Sequence, residues 1–255
     1  MLSDPVKHFT KENLDNYLKE LAKEYRKLGG KAMPAEIILV GGAAILAGYG
    51  FRNMTTDIDA VIHASSFMKD AINRVGDRLE LPNGWLNTDF MRTASYSGKL
   101  SQFSVHYRTY SGVLSVRMIG AEYLIAMKLR SGRQYKNDMS DIVGILAEHD
   151  RRGNPITMEQ IKTAVTNLYG NWSEIPEASG NFIEDVVRNG DYSAVYSVTL
   201  ENEKSSKDTL IRFEANYPGV ANQENVNDIL RTLKQKQEKA AAQLAVPEDK
   251  NTGEE

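Results

Sequence analysis

Between Glu36 and Ile62 an apolar run meets a pair of glycines, and a second strand-like run then opens on two aspartates one residue apart. Few folds accommodate that order. Ile37-Ile38-Leu39-Val40 has the β-branched and aliphatic composition of a buried strand and stops at Gly41-Gly42. Two glycines permit a tight turn and let backbone N–H groups approach a ligand closely. The helix expected next, from Ala43 to about Gly50, aims the positive end of its dipole at the same spot, which suits a phosphate. From Arg52 to Ile62 the pattern alternates, with Ile58, Ala60 and Ile62 on one face and Asp57 and Asp59 on the other. Two like charges so close repel each other and are costly to desolvate, so the pair reads as a site for a divalent cation, Mg²⁺ or Mn²⁺. An ion held this way bridges the phosphates of a nucleotide, which makes a nucleoside triphosphate the expected ligand. The same residues also suit a buried strand, a turn and a solvated acidic strand end.

Val40-Gly41-Gly42, fourteen intervening residues and then Asp57-Ile58-Asp59-Ala60 resemble the signature of the nucleotidyltransferase superfamily, the DNA polymerase beta-like fold. Gly-Gly-x-Ala followed by Arg-x-x-Thr-x-Asp-Ile-Asp is similar to bacterial proteins of the AbiEii/MenT toxin type and their uncharacterised relatives. A second stretch extends the likeness: Leu124-Ile125-Ala126-Met127-Lys128-Leu129-Arg130, then Arg133, Lys136, Asp138 and Asp141, resembles the second and third motifs of that group. The resemblance implies an α/β (α+β) fold, with helices packed on a mixed sheet. It also implies an active site that includes Lys128 and one downstream aspartate, Asp141 in preference to Asp138. It implies as acceptor the 3′ end of tRNA or a protein hydroxyl, and as partner a cognate antitoxin; transfer to a small molecule, as in aminoglycoside-modifying relatives, is a further alternative.

Lys128 also stands out without the family. The segment from Ala121 to Arg130 is apolar almost all round, so it reads as a helix buried between layers. An ammonium there needs an anionic partner, such as a triphosphate or Asp57 and Asp59, unless its long stem carries it to the surface. Asp138 and Asp141 fall in the first turn of the next helix, where carboxylates are stabilised whatever the function, and Asn137 or Asp138 suits its cap. The mechanism expected from these residues has Asp57 and Asp59 hold the metal. Gly41, Gly42 and Thr56 receive the triphosphate, Lys128 neutralises it, and Arg52, Arg130 and Arg133 contact phosphate. The superfamily usually supplies a third carboxylate from a strand beside the acidic pair. The two strand-like runs 103–107 and 113–118, expected to pair antiparallel about Tyr110-Ser111-Gly112, contain no acid, and Asp89 lies outside them. The general base is thus unassigned, and a non-catalytic nucleotide-binding or antitoxin-like module is the rival reading.

The remaining chain sets the frame. Thr10 suits the cap of an amphipathic helix running from Leu14 to Leu28, and Ser65 the cap of a helix ending before Pro82. Arg151-Arg152-Gly153-Asn154-Pro155 marks a boundary between a nucleotidyltransferase domain, 1–150, and a helical domain, 151–244, with a polar tail over 245–255 expected to be disordered. Thr157-Met158-Glu159-Gln160 reads as a capping box. The last helix lacks sustained heptads, which argues against a coiled-coil scaffold. A chain without cysteine makes no disulfide or thiolate metal site and suits a reducing compartment. With no apolar run long enough for a membrane span and no apolar core near Met1, the expectation is a cytoplasmic protein without a membrane partner. A net charge of −3 excludes a generally basic coat for nucleic acid and leaves only local patches. The four histidines, His8, His63, His106 and His149, have no ligand spacing.

Overall fold

The computed structural model describes residues 8–222 and 225–244. Five strands are found among them: β1 (Ala35–Leu39), β2 (Ile58–His63), β3 (Leu86–Asn87), β4 (Ser104–Tyr110) and β5 (Leu114–Ile119). They form one mixed sheet in the order β3-β2-β1-β5-β4. β1 sits at its centre because Ile37, Ile38 and Leu39 are apolar on both faces and fully buried. It runs antiparallel to β2, with Leu39 opposite Ala60, and parallel to β5, with Leu39 opposite Met118. β4 and β5 form the expected antiparallel hairpin, and its turn, closed by the Val113 amide donating to the Tyr110 carbonyl, places Ser111 and Gly112 in the left-handed region at φ of 52° and 67°.

The helices described are α1 (Lys11–Tyr25), α2 (Gly41–Gly48), α3 (Phe67–Leu79), α4 (Ala121–Ser131), α5 (Asp138–Arg151), α6 (Met158–Tyr169), α7 (Glu177–Asn189), α8 (Tyr192–Asn216) and α9 (Val226–Leu244). Thr10 caps α1 in a capping box with Asn13, and Thr157 caps α6 in one with Gln160, as the sequence predicts. Two expectations are corrected. Helix α3 begins after Ser66 without a side-chain cap, and Ser65 is drawn away by the Tyr25 hydroxyl, 3.0 Å from its Oγ. Helix α2 starts at Gly41 rather than Ala43, so both glycines belong to its first turn, with extended Val40 as the cap residue.

Helix α1 packs against α3 and β4, α4 packs against α5 and α6, and α5 packs along α8. The apolar cluster runs unbroken from Phe9 to Val186, so the Gly153-Asn154-Pro155 break interrupts a helix but not the core. The tail at 245–255 lies outside the described residues, and no helix among those described is long and apolar enough to cross a membrane.

Candidate active site

The parallel pair β1 and β5 end on the same edge of the sheet, where each leads directly into a helix, α2 after Val40 and α4 after Gly120. Antiparallel β2 begins at that edge, which brings its acidic start beside the glycines. Gly41 has φ of +54°, and a Cβ built there would stand 3.6 Å from Oδ2 of Asp59. The carboxylate therefore faces bare backbone. Asp57, one residue before β2, is exposed, and Asp59 is half-buried. Burial pushes the Asp59 carboxyl up to about 6, the charges of Asp57 and Asp89 add to that, and Arg133 and Lys136 oppose it.

Gly41 and Asp59 line a cleft of about 60 Å³ together with Phe90, Thr93, Lys128, Arg133 and Asp138. Lys128 is buried in the third turn of α4 and bonded on both sides, at 2.7 Å to Asp141 and 3.1 Å to Asp138. Burial alone would push its ammonium down, but Asp141 and Asp138 outweigh that and the net direction is up. Arg133 adds two bonds to Asp138, 2.8 and 3.1 Å, and Arg52 meets Asp141 at 2.6 Å. Burial would raise the carboxyl of Asp138, but Lys128 and Arg133 hold it well below the usual carboxylate range. Three cations and two carboxylates from three segments thus form one network behind the cleft.

That geometry redistributes the roles expected from sequence. Asp138, expected as the helix cap, lines the cleft, and Asp141, expected to reach, lies between Lys128 and Arg52. Neither caps α5, and Asn137 makes no side-chain cap bond either. The cap comes from α8: Glu203 accepts from the Met139 and Ser140 amides at 2.7 and 3.3 Å and from Ser140 Oγ at 2.5 Å. Buried glutamate at this place left no local signature, because Glu203 sits in a long polar helix 63 residues from Ser140. Gly42 also serves a different purpose from the expected one. A Cβ there would meet Thr55 Oγ1 at 2.6 Å and the Arg52 guanidinium at 3.1 Å, so the close approach is taken up by the protein's own side chains. Thr55 is buried and bridged to Phe9, while Thr56 is exposed and away from the lining of the cleft.

Arg130, two residues beyond Lys128, faces away from it along α4. Its guanidinium bonds the Glu174 carbonyl and, at 2.9 Å, the Glu174 carboxylate, and lies over the Tyr169 ring. Among the ten residues expected at the site, Gly41, Asp59, Lys128 and Arg133 line the cleft; Arg52 and Asp141 join the ionic network behind it; Gly42 lies under Arg52; Asp57 adjoins Asp59; and Thr56 and Arg130 stand apart. Sequence reasoning did not anticipate Phe90 and Thr93, which lie in and directly after a single 3-10 turn, Asp89–Arg92, too short to show a period. Among the described residues no group of three or more histidine, aspartate or glutamate side chains is placed to hold a metal ion. Two neighbouring carboxylates remain as hard oxygen donors, and that set fits Mg²⁺ or Mn²⁺, since Mg²⁺ usually keeps several waters and takes one or two protein carboxylates.

A mixed sheet with a glycine-started helix at one strand end and an acidic pair on the neighbouring antiparallel strand has the form of a nucleotidyltransferase core. The chain belongs to the family described as nucleotidyltransferase of unknown function (DUF6036), whose model matches residues 16–149. That match takes in the whole lining of the cleft and the ionic network behind it, leaves out Phe9, Tyr169, Glu174 and Glu203, and closes two residues before the end of α5. No curated protein and no solved structure matches the chain.

Proposed function

We propose that the protein transfers a nucleoside monophosphate from a nucleoside triphosphate to an acceptor hydroxyl. One observation carries the reading: Gly41, Asp59, Lys128 and Arg133, from four separate stretches, converge on one small cleft. Its volume of about 60 Å³ suits a phosphate group and an ion and is too small for a nucleoside, so sugar and base lie outside it. Asp57 and Asp59 would hold Mg²⁺ or Mn²⁺, which when bound supplies charge neutralisation for the phosphates. The first backbone N–H groups of α2 have no intrahelical acceptors and are available to phosphate oxygens. Arg133 and Lys128 supply the cleft wall with positive charge, offset there by Asp138 and Asp59. The acceptor oxygen forms a bond to the α-phosphorus, the bond from that phosphorus to the bridging oxygen breaks, pyrophosphate leaves, and the acceptor proton passes to solvent. Likeness to the AbiEii/MenT motifs supports the tRNA 3′ end, or a protein hydroxyl, as acceptor, and a toxin role with a cognate antitoxin as its restraint.

A second reading, nucleotide binding without transfer, is favoured by Lys128, which is already bonded to two carboxylates. Transfer of label from each of the four α-labelled triphosphates, with Mg²⁺ or Mn²⁺, to total tRNA and to cell protein separates the two. Label is expected in one fraction, lowered at least about a hundredfold in Asp57→Asn or Asp59→Asn with the melting temperature preserved. Equal labelling by wild type and both variants would remove the two aspartates from the site. Nucleotide binding without label in any fraction would favour the second reading.

A further inference from the structure

We infer that Glu203 is a positioning residue of the cleft: from α8 it fixes the first turn of α5, and through that turn the place at which Asp138 holds Lys128 and Arg133 for a phosphate. The part played by phosphate rests on the transferase reading, and the placement of the two cations stands without it. Asp138 is 1% exposed, and each of its oxygens is engaged. Oδ1 accepts from Lys128 Nζ and Arg133 Nη2, both at 3.1 Å, and Oδ2 accepts from Arg133 Nε at 2.8 Å. A guanidinium gripped by both oxygens of one carboxylate has its plane and direction fixed. Where Asp138 stands therefore decides where both cations of the cleft wall stand.

Asp138 opens α5 and takes its place from that helix start, which no local side chain secures. Asn137 makes no cap bond, and the first amides of a helix fray unless they find acceptors. The amides of Met139 and Ser140, which follow Asp138 directly, both find Glu203, at 2.7 and 3.3 Å, and the Ser140 hydroxyl donates to it at 2.5 Å. Three bonds from consecutive residues into one carboxyl hold the turn from outside.

The face that α8 turns to this start suits bonding rather than apolar packing. Its buried residues are Thr199, Glu203 and Ser206, all on one side of the helix. By contrast α6, which covers α4, buries Ile161, Ala164, Val165 and Leu168. Burial of a carboxyl is costly, and Glu203 is 4% exposed. It forms no ion pair among the described residues, although Arg231 and Lys234 of α9 line the same cavity of about 600 Å³ and Arg231 is tied to Asp228 at 2.7 Å. For stability alone a threonine at the cap position suffices, as Thr10 serves α1 and Thr157 serves α6. What a carboxyl from a distant helix adds is a link between α8 and the charged wall of the cleft.

The Nε–H signal of Arg133 in ¹H–¹⁵N NMR spectra of the full chain, assigned by its loss in Arg133→Lys, reads the bond to Asp138 directly. In the wild type it should be protected from solvent exchange. Glu203→Leu, which removes the acceptors and keeps most of the bulk, should speed that exchange about tenfold or more, and Ser140→Ala, which removes one bond of the three, by a smaller factor. Glu203→Gln, which keeps one acceptor oxygen, should lie nearer the wild type. Val75→Ala, in the core between α3 and α1, lowers stability elsewhere and should leave the signal as it is. Ser140→Ala and Glu203→Gln carry the test if Glu203→Leu does not fold. Affinity for inorganic pyrophosphate with Mg²⁺, followed by calorimetry, should fall about threefold or more in Glu203→Leu. An Arg133 signal unchanged in every folded variant of Glu203 and Ser140, or changed equally in Val75→Ala, overturns the positioning. Pyrophosphate that fails to bind the wild type overturns the phosphate role and the transferase reading with it, while the Arg133 signal still judges Glu203.

Discussion

Asp57 and Asp59 alternate in sequence as the strand period requires, yet they meet different surroundings, one in solvent and one in a cleft. Their pairing was legible because period two is a local property. Lys128 was legible for a similar reason, as a cation in the run Leu124–Leu129 of a helix that is apolar almost all round. Its protein partners were not: the sequence offered Asp57 and Asp59, and the structure pairs it with Asp138 and Asp141 of the next helix. Removal of Lys128 strips each carboxylate of one of its two cations while Arg133 and Arg52 stay in place, so Lys128→Met should lose about 1.5–3 kcal/mol of stability in urea unfolding. A loss below about 1 kcal/mol would mean that water already screens the network. Gly42 carries a different prediction. Alanine there puts a methyl 2.6 Å from Thr55 Oγ1 and close to Arg52, so Gly42→Ala should destabilise by about 1–3 kcal/mol, read in the same experiment. An unchanged midpoint would show that Thr55 and Arg52 move aside.

Helix α5 has the apolar stripe that its sequence suggests, with Ile142, Val143 and Leu146 buried, but its start depends on a residue of α8. Cap reasoning looked to Asn137 and Asp138 because caps are usually local. Here the local carboxylates are drawn to Lys128 and Arg133, and the amides find Glu203 instead. Burial raises the Glu203 carboxyl to about 7 from an ordinary 4.5, with Asp141 adding to the rise and the bonds from Ser140 and Met139 opposing it; Arg231 and Lys234 line the same cavity. The folded form therefore binds the proton more tightly than the unfolded chain. Its contribution is most favourable below pH 4.5 and declines as pH rises from 4.5 to about 7. Glu203→Gln, which keeps one acceptor oxygen, should flatten that part of the stability profile. Melting curves at pH 5 and pH 8 check it: the wild type should lose more stability than the variant over that interval, and parallel curves would contradict the assignment.

The family match ends at residue 149, close to where the sequence suggests a boundary, but the packing continues across it. Helix α6 covers α4, and α8 covers α5 and supplies its cap. A chain cut after residue 150 should therefore expose Leu124 and Ile145-side core surface, lose the Glu203 bonds, and melt well below the full chain or aggregate. Analytical ultracentrifugation and thermal melting of the truncated chain check this, and a monomeric product with the full-length melting temperature would show that 1–150 stands alone. By itself the sequence determined four of the five described strands, the described α-helices, the acidic pair and the odd lysine, because each follows from residue type and from periods of 2 and 3.6. Tertiary structure alone decided that Asp138 lines the cleft, that Arg130 turns to Glu174, that Gly42 lies beneath Arg52 and that Glu203 caps α5. Those pairings join residues far apart in the chain, and competition for a limited set of buried charges and amides is settled only when the elements pack.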